Sequence, residues 1–129
     1  MSGKIALDTD VSIKFLNGDK VIDSFLVKYP EIYLPVVVVG ELIFGAMNST
    51  NSGENLGRHM KLIQRAKILN ITEATANIYA KTRMNLKKKG KPIPENDLWI
   101  ASVCIEQKIP FISLDGHFKV IDNLLLKSL

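Results

Sequence analysis

The stretch KIALDTDVSIKFL, residues 4–16, carries the first unit of the fold. Its first four residues, Lys4–Leu7, are a short apolar segment that predicts a buried strand running directly into Asp8. The apolar residues that follow, Val11 and Phe15 among them, recur at helical spacing. The stretch therefore predicts a strand followed by a helix, with an acidic residue at the junction.

Strand and helix patterns alternate along the rest of the chain, which is typical of α/β proteins. Pro35 predicts a helix that begins near it in spite of the valines at 36–39, because proline suits the first turn of a helix. Another helix is predicted from Thr72 to a stop at Gly90, and one opens near Asn96. Further strands are predicted at residues 32–34, 68–71, 111–114 and 124–126.

The length of 129 residues fits one domain, and we expect residues 1–129 to form it. A hydrophobic content of 47% and a charged content of 23% exclude the composition of disordered chains. The polar segment 51–57, NSGENLG, is predicted to be a mobile loop.

The cysteine content and the apolar runs predict a cytoplasmic protein. Cys104 is the one cysteine, it lies in an apolar run, and we expect it in the core, so a reducing compartment fits. The longest apolar run, residues 34–39, is too short to span a bilayer, and MSGKIALDTD has no apolar core of a signal peptide.

Four acids lie within or beside apolar segments, where an ionised carboxylate is costly to bury unless it is paired or binds a metal. They are Asp8, Glu41, Asp97 and Asp115. Singly, three of them have simpler explanations, since Asp8 and Asp97 could favour helix starts and Asp115 a turn. Capping does not explain Glu41, which lies on an apolar helical pattern.

The donor types available favour a hard cation. His59 and His117 are far apart in sequence and have no partners at zinc-ligand spacing. Oxygen ligands favour Mg²⁺ or Mn²⁺, which suit phosphate chemistry.

A basic segment follows in the second half of the chain, whose net charge is +4. Its cations could hold phosphates, or they could simply be a solvated helix end that suits the C-terminal dipole. They are Lys81, Arg83, Lys87, Lys88, Lys89 and Lys91.

The acidic segments resemble the PIN domain, and in particular the VapC toxins of toxin–antitoxin pairs, over nearly the whole chain. The matching segments are LDTD with Asp8, PVVVVGELIFGA with Glu41, GKPIPENDLWIA with Asp97 and SLDGHFKVI with Asp115. The resemblance implies an α/β/α sandwich around a mainly parallel sheet and a divalent-metal site made by the four carboxylates. It also implies endoribonuclease activity, an RNA substrate, a VapB-like antitoxin partner and a homodimer. Thr9, Asn96 and Ser113 match positions where the family has polar residues near the site.

Some residues near these segments have more than one interpretation. The family usually has Asn where this chain has Asp10, and we expect this extra acid to start a helix and to face away from the metal. Trp99 and Phe118 are expected in the core, although aromatic rings can stack on bases. His117 is explained by its turn and is given no role.

Two other functions remain open from the sequence. Asp8 and Asp10 form the D-x-D pattern of haloacid-dehalogenase-like phosphatases, in which the first acid is a nucleophile. A non-catalytic RNA-binding module would use only the basic segment.

Overall fold

The computed structural model describes residues 3–129, so Met1 and Ser2 of the predicted domain lie outside the described residues. Five strands form one sheet in the order β3-β2-β1-β4-β5, and every pair of neighbours is parallel. The strands are β1 (Lys4–Leu7), β2 (Glu31–Pro35), β3 (Lys67–Leu69), β4 (Phe111–Ile112) and β5 (Leu126–Lys127). The α/β prediction with a parallel sheet is confirmed.

Six helices connect the strands and flank the sheet. They are α1 (Thr9–Leu16), α2 (Lys20–Leu26), α3 (Val36–Met47), α4 (Ser52–Arg65), α5 (Glu73–Lys89) and α6 (Glu95–Gln107). Helices α1 to α4 pack among themselves, and α5 packs on α6. From β1 to β3 the chain adds each strand on the same side of β1, and after β3 it crosses to the other side of β1 to form β4. Because such crossovers are right-handed, the two directions place α1–α4 on one face of the sheet and α5–α6 on the other.

The core lies between the sheet and these helices. Its central strand, β1, contributes Ile5, Ala6 and Leu7, which have no exposed surface, and Cys104 is buried among the same residues as predicted. Within residues 3–129, none of the helices is both long enough and apolar enough to cross a lipid bilayer.

The helix predicted near Pro35 begins at Val36, with Pro35 as its N-cap. Burial accounts for a helix in a run of valines that would otherwise favour a strand, since Val38 and Leu42 are fully buried one turn apart. The helix predicted to stop at Gly90 does so, because Gly90 adopts a left-handed φ of 69° that ends α5.

The prediction of a mobile loop at 51–57 is wrong, because α4 begins at Ser52. The segment contains no proline, and Glu54 in the first turn suits the positive end of the helix dipole. Two glycines cost about 1 kcal/mol each in a helix, but tertiary packing offsets this. Leu62 is buried against the core, and the His59 ring contacts the Leu42 carbonyl oxygen at 2.8 Å.

Three of the predicted strands differ from the observed ones in position or length. The strand at 68–71 lies instead at Lys67–Leu69, and the one at 124–126 at Leu126–Lys127. The strand predicted at 111–114 ends at Ile112, because the Ser113 hydroxyl donates to Asp8 and the Leu114 N–H donates to Asp10 in the first turn of α1.

Trp99 does not lie in the buried core, so that part of the prediction is wrong, whereas Phe118 is 1% exposed as expected. The indole stacks on Tyr79 with ring centroids 3.9 Å apart and nearly parallel planes. Trp99 is partly buried between α5 and α6 by this contact, instead of by the sheet.

Candidate metal centre

The centre lies at the carboxyl ends of the two middle strands. β1 continues into Asp8, and β4 continues into Ser113 and Asp115. The strand order reverses between β1 and β4, and such switch points are where open parallel sheets bind ligands. The backbone N–H of Asp8 donates to the Ile112 carbonyl at 3.0 Å, which keeps the two strand ends together.

Asp8 is held between the start of α1 and the end of β4. Its carboxylate accepts hydrogen bonds from the Thr9 N–H at 2.9 Å and from the Ser113 hydroxyl at 2.5 Å. The residue is only 7% exposed. Burial, with a smaller contribution from repulsion by Asp10 and Asp97, raises the pKa of Asp8 to about 6. The two hydrogen bonds lower the pKa and only partly offset these effects.

Glu41 projects from the middle of α3 and links the ends of two other elements. Its carboxylate accepts hydrogen bonds from the Thr9 hydroxyl at the start of α1 and from the Asn96 amide at 3.2 Å. Asn96 lies in the first turn of α6, immediately before Asp97. Glu41 is therefore held between the segments that carry Asp8 and Asp97.

Asp97 and Asp115 meet from α6 and from the loop after β4. The pKa of Asp97 is raised by burial and by the negative charge of Asp115, while a hydrogen bond from His117 opposes the shift. The Ser113 hydroxyl that donates to Asp8 also accepts the Asp115 N–H at 3.0 Å. The contacts thus join all four predicted acids into one cluster, with Thr9, Asn96 and Ser113 bonded to its members.

Asp10 does not face away from this cluster, and that prediction is wrong. Its carboxylate accepts hydrogen bonds from the Val11 N–H at 2.7 Å and the Leu114 N–H at 3.3 Å. Burial and the charge of Asp115 raise the pKa of Asp10. The side chain ties α1 to the loop before Asp115, so it lies at the edge of the cluster.

His117 was not assigned a role from the sequence, yet it is part of the cluster. Its Nδ1 atom lies 3.1 Å from Asp97 Oδ2 and 3.1 Å from Asp115 Oδ1. The sequence feature that could have indicated this role is the short spacing Asp115-Gly116-His117. These residues enter a 3₁₀ turn, which brings the His117 ring back to the carboxylate of Asp115.

The residues present fit a hard divalent cation. The donors are mostly carboxylate oxygens, the type that Mg²⁺ and Mn²⁺ prefer. Within residues 3–129, no lysine or arginine forms a salt bridge with the four acids, and the ring nitrogen that contacts them belongs to His117. Several carboxylates that share one partly buried site with so little compensating charge are stabilised by a bound cation.

The basic segment does not form one surface. Lys89 is 2.9 Å from Asp122, and Arg83 is 3.6 Å from Glu95, so both cations have acidic partners. Lys81 and Lys88 lie nearly two turns apart on one face of α5, and they border surface depressions away from Glu95. Arg83 and Lys87 border a different groove, beside Glu95 at the start of α6.

Two lysines that the sequence did not single out border the acidic cluster. Lys119 and Lys127 line a cleft together with Ser113 and Asp115. Both lysines are exposed. Because Ser113 and Asp115 directly follow β4, this cleft lies at the end of that strand.

Comparisons with known proteins agree with this arrangement. The profile of the PIN domain matches residues 5–124. Ribonuclease VapC1 of Haemophilus influenzae strain R2866 is 34% identical over 99 residues, which are 74% of this chain and 74% of that protein.

Solved structures with the same fold come from VapBC complexes. A chain of VapBC2 from Rickettsia felis, bound to a DNA fragment from their promoter, superposes with a TM-score of 0.87 at 26% identity. The match covers 96% of this chain and 97% of that one. A chain of VapBC-1 from nontypeable Haemophilus influenzae gives a TM-score of 0.85 at 28% identity, with 97% of each chain covered.

Proposed function

The chain belongs to the PIN-domain family, and from this premise we propose that it is a metal-dependent endoribonuclease, the toxin of a toxin–antitoxin pair. The observation that carries the proposal is the convergence of Asp8, Glu41, Asp97 and Asp115 at one sheet edge. The partners that we propose are RNA, a VapB-like antitoxin and a second copy of the chain in a homodimer. The antitoxin is supported by the VapBC complexes whose chains share this fold.

We assign the metal to these four carboxylates. A bound Mg²⁺ or Mn²⁺ would polarise a phosphodiester and lower the pKa of an attacking water. Ser113 orients Asp8, and Thr9 and Asn96 together orient Glu41, so that the carboxylates are positioned before an ion or substrate arrives. Asp10 holds the loop that precedes Asp115.

The rival with Asp8 as a phosphatase nucleophile fits poorly. Such a phosphatase would need a second acid beside a later carboxylate, and Asp115 lies between Leu114 and Gly116 without an adjacent acid. Family membership also favours the nuclease. We further propose that residues 1–129 act as one domain in the cytoplasm, where RNA is available and the buried thiol of Cys104 stays reduced.

Induced expression tests the proposal in cells. We expect growth arrest with new RNA 5′ ends, and we expect both to disappear when Asp97→Asn is expressed at the same level. Coexpression of the cognate antitoxin should also relieve the arrest. Arrest that persists unchanged with Asp97→Asn would instead favour the non-catalytic RNA-binding module.

RNA binding tests which cations hold phosphates. We expect Lys119→Gln/Lys127→Gln to weaken RNA binding by about tenfold at low salt and to flatten its salt dependence, because two phosphate contacts are lost beside Asp115. The matched control is Lys81→Gln/Lys88→Gln, which removes the same charge from α5 and should change binding less than about twofold. Filter binding of a catalytically inactive Asp97→Asn background measures both. Equal losses in the two pairs would restore the segment 81–91 as the RNA-binding surface.

A further inference from the structure

The cluster contains one nitrogen donor among its carboxylates, the imidazole of His117. Its Nδ1 atom is 3.1 Å from one oxygen of Asp97 and 3.1 Å from one oxygen of Asp115. The three donor atoms lie within 4.8 Å of one another. The side chain is half exposed, so an ion in solution can reach it.

The ring is held in this position by its own backbone. The His117 N–H donates to Asp115 Oδ1 at 2.9 Å, within the 3₁₀ turn Gly116–Val120. Phe118 anchors the turn, since its ring is buried and packs edge-on against Phe111 of β4. The imidazole therefore returns to the acids because the turn is fixed.

The spacing of the donors matches the coordination shell of a small divalent ion. Two neighbouring ligands of an octahedral ion, each about 2.1 Å from the metal, are about 3 Å apart. The two separations at Nδ1 have this value.

We propose that His117 is a direct nitrogen ligand of the ion that Asp97 and Asp115 hold, and that it gives this site a preference for Mn²⁺ over Mg²⁺. The inference rests on the proposed metal-dependent function and adds a ligand to it. Mg²⁺ favours oxygen ligands and keeps its waters, whereas Mn²⁺, a first-row transition-metal ion, accepts an imidazole nitrogen in its coordination shell more readily than Mg²⁺ does. The ligating tautomer has its lone pair on Nδ1 and its hydrogen on Nε2.

Pulsed electron paramagnetic resonance of the Mn²⁺-loaded full chain tests the ligand directly. We expect modulation from a coordinated ¹⁴N in the wild type, and its loss in His117→Gln. The control is His59→Gln, since His59 is the other histidine of the chain and bonds to the Leu42 carbonyl instead. Labelling of the wild type with ¹⁵N-histidine should change the modulation without any substitution, which covers the case of a variant that fails to fold.

Competitive titration tests the preference. His117→Gln should weaken Mn²⁺ binding by about five- to tenfold and Mg²⁺ binding by less than about twofold. Bound Mn²⁺ without nitrogen modulation in the wild type, or modulation that persists in His117→Gln, would overturn the inference and leave the carboxylate site intact. Failure of the wild type to bind Mn²⁺ at all, or binding undiminished by Asp97→Asn, would overturn the proposed metal site together with this ligand.

Discussion

Replacing Asp8 with asparagine is expected to lower RNA cleavage by about a thousandfold and, at the same time, to stabilise the metal-free protein. The loss of activity follows because the amide has no negative charge for a divalent cation. The fold is expected to survive, since an amide oxygen can still accept the Thr9 N–H and an amide N–H can donate to the Ser113 hydroxyl.

The gain in stability follows from the sign of the pKa shift. The pKa of Asp8 rises from 3.8 to about 6 in the folded state, mainly because of burial. The folded state thus binds the proton more tightly, and its stability falls as the pH rises between these two values. Above about pH 6 the full cost of an ionised Asp8 remains, on the order of 1–3 kcal/mol, and asparagine avoids it.

Urea unfolding without divalent metal and a cleavage assay with Mn²⁺ measure the two effects. The matched control is Asp19→Asn, which removes the same charge from the N-cap of α2. Because asparagine caps helices as well as aspartate does, the control should keep its activity and change stability by less than about 0.5 kcal/mol. An Asp8→Asn protein that is less stable than the wild type near neutral pH would contradict the electrostatic account.

Metal binding is expected to weaken by more than tenfold between about pH 7.5 and about pH 5, because protons compete with the ion for the same carboxylates. Asp8 alone, with a pKa of about 6, would account for about a tenfold loss at about pH 5. Asp97 adds to this, since burial and Asp115 also raise its pKa. Mn²⁺ titrations across this range measure the effect.

The pH dependence has a control within the same cluster. Asp8→Asn removes one of the titrating groups, so whatever metal binding it retains should depend less steeply on pH than that of the wild type. A wild-type affinity that is constant over the range would show that the carboxylates are already ionised at about pH 5, and would contradict the raised pKa values.

The acids of the site could be predicted because each departs from its surroundings in the sequence. Glu41 lies in an apolar helix and Asp8 at the end of an apolar strand, where a carboxylate needs a reason to be present. The contacts of Thr9, Asn96 and Ser113 also agree with their predicted places near the acids. Position in the strand and helix pattern was enough to single out the acids, whereas the three polar residues were placed near them by the resemblance to the PIN domain.

Other features depend on contacts that the sequence does not display. The helix begins as early as Ser52 because α4 packs on α3, where the His59 ring contacts the Leu42 carbonyl oxygen, whereas the composition of residues 51–57 alone favoured a loop. Asp10 faces the cluster because the N–H of Leu114, more than a hundred residues later, comes within reach. The position of His117 also depends on such contacts, since a 3₁₀ turn and the contact with Asp97 of α6 place its ring among the carboxylates.

Because the cluster joins distant parts of the chain, activity can arise only late in folding. The hydrogen bond between Ser113 and Asp8 joins residues 105 positions apart, and it forms only when β1 and β4 are paired. Parallel pairing of distant segments is slow compared with the growth of single helices. In a refolding reaction, RNA cleavage should therefore lag behind the recovery of helical circular dichroism. A folding intermediate with formed helices and an unpaired β4 would be harmless to RNA.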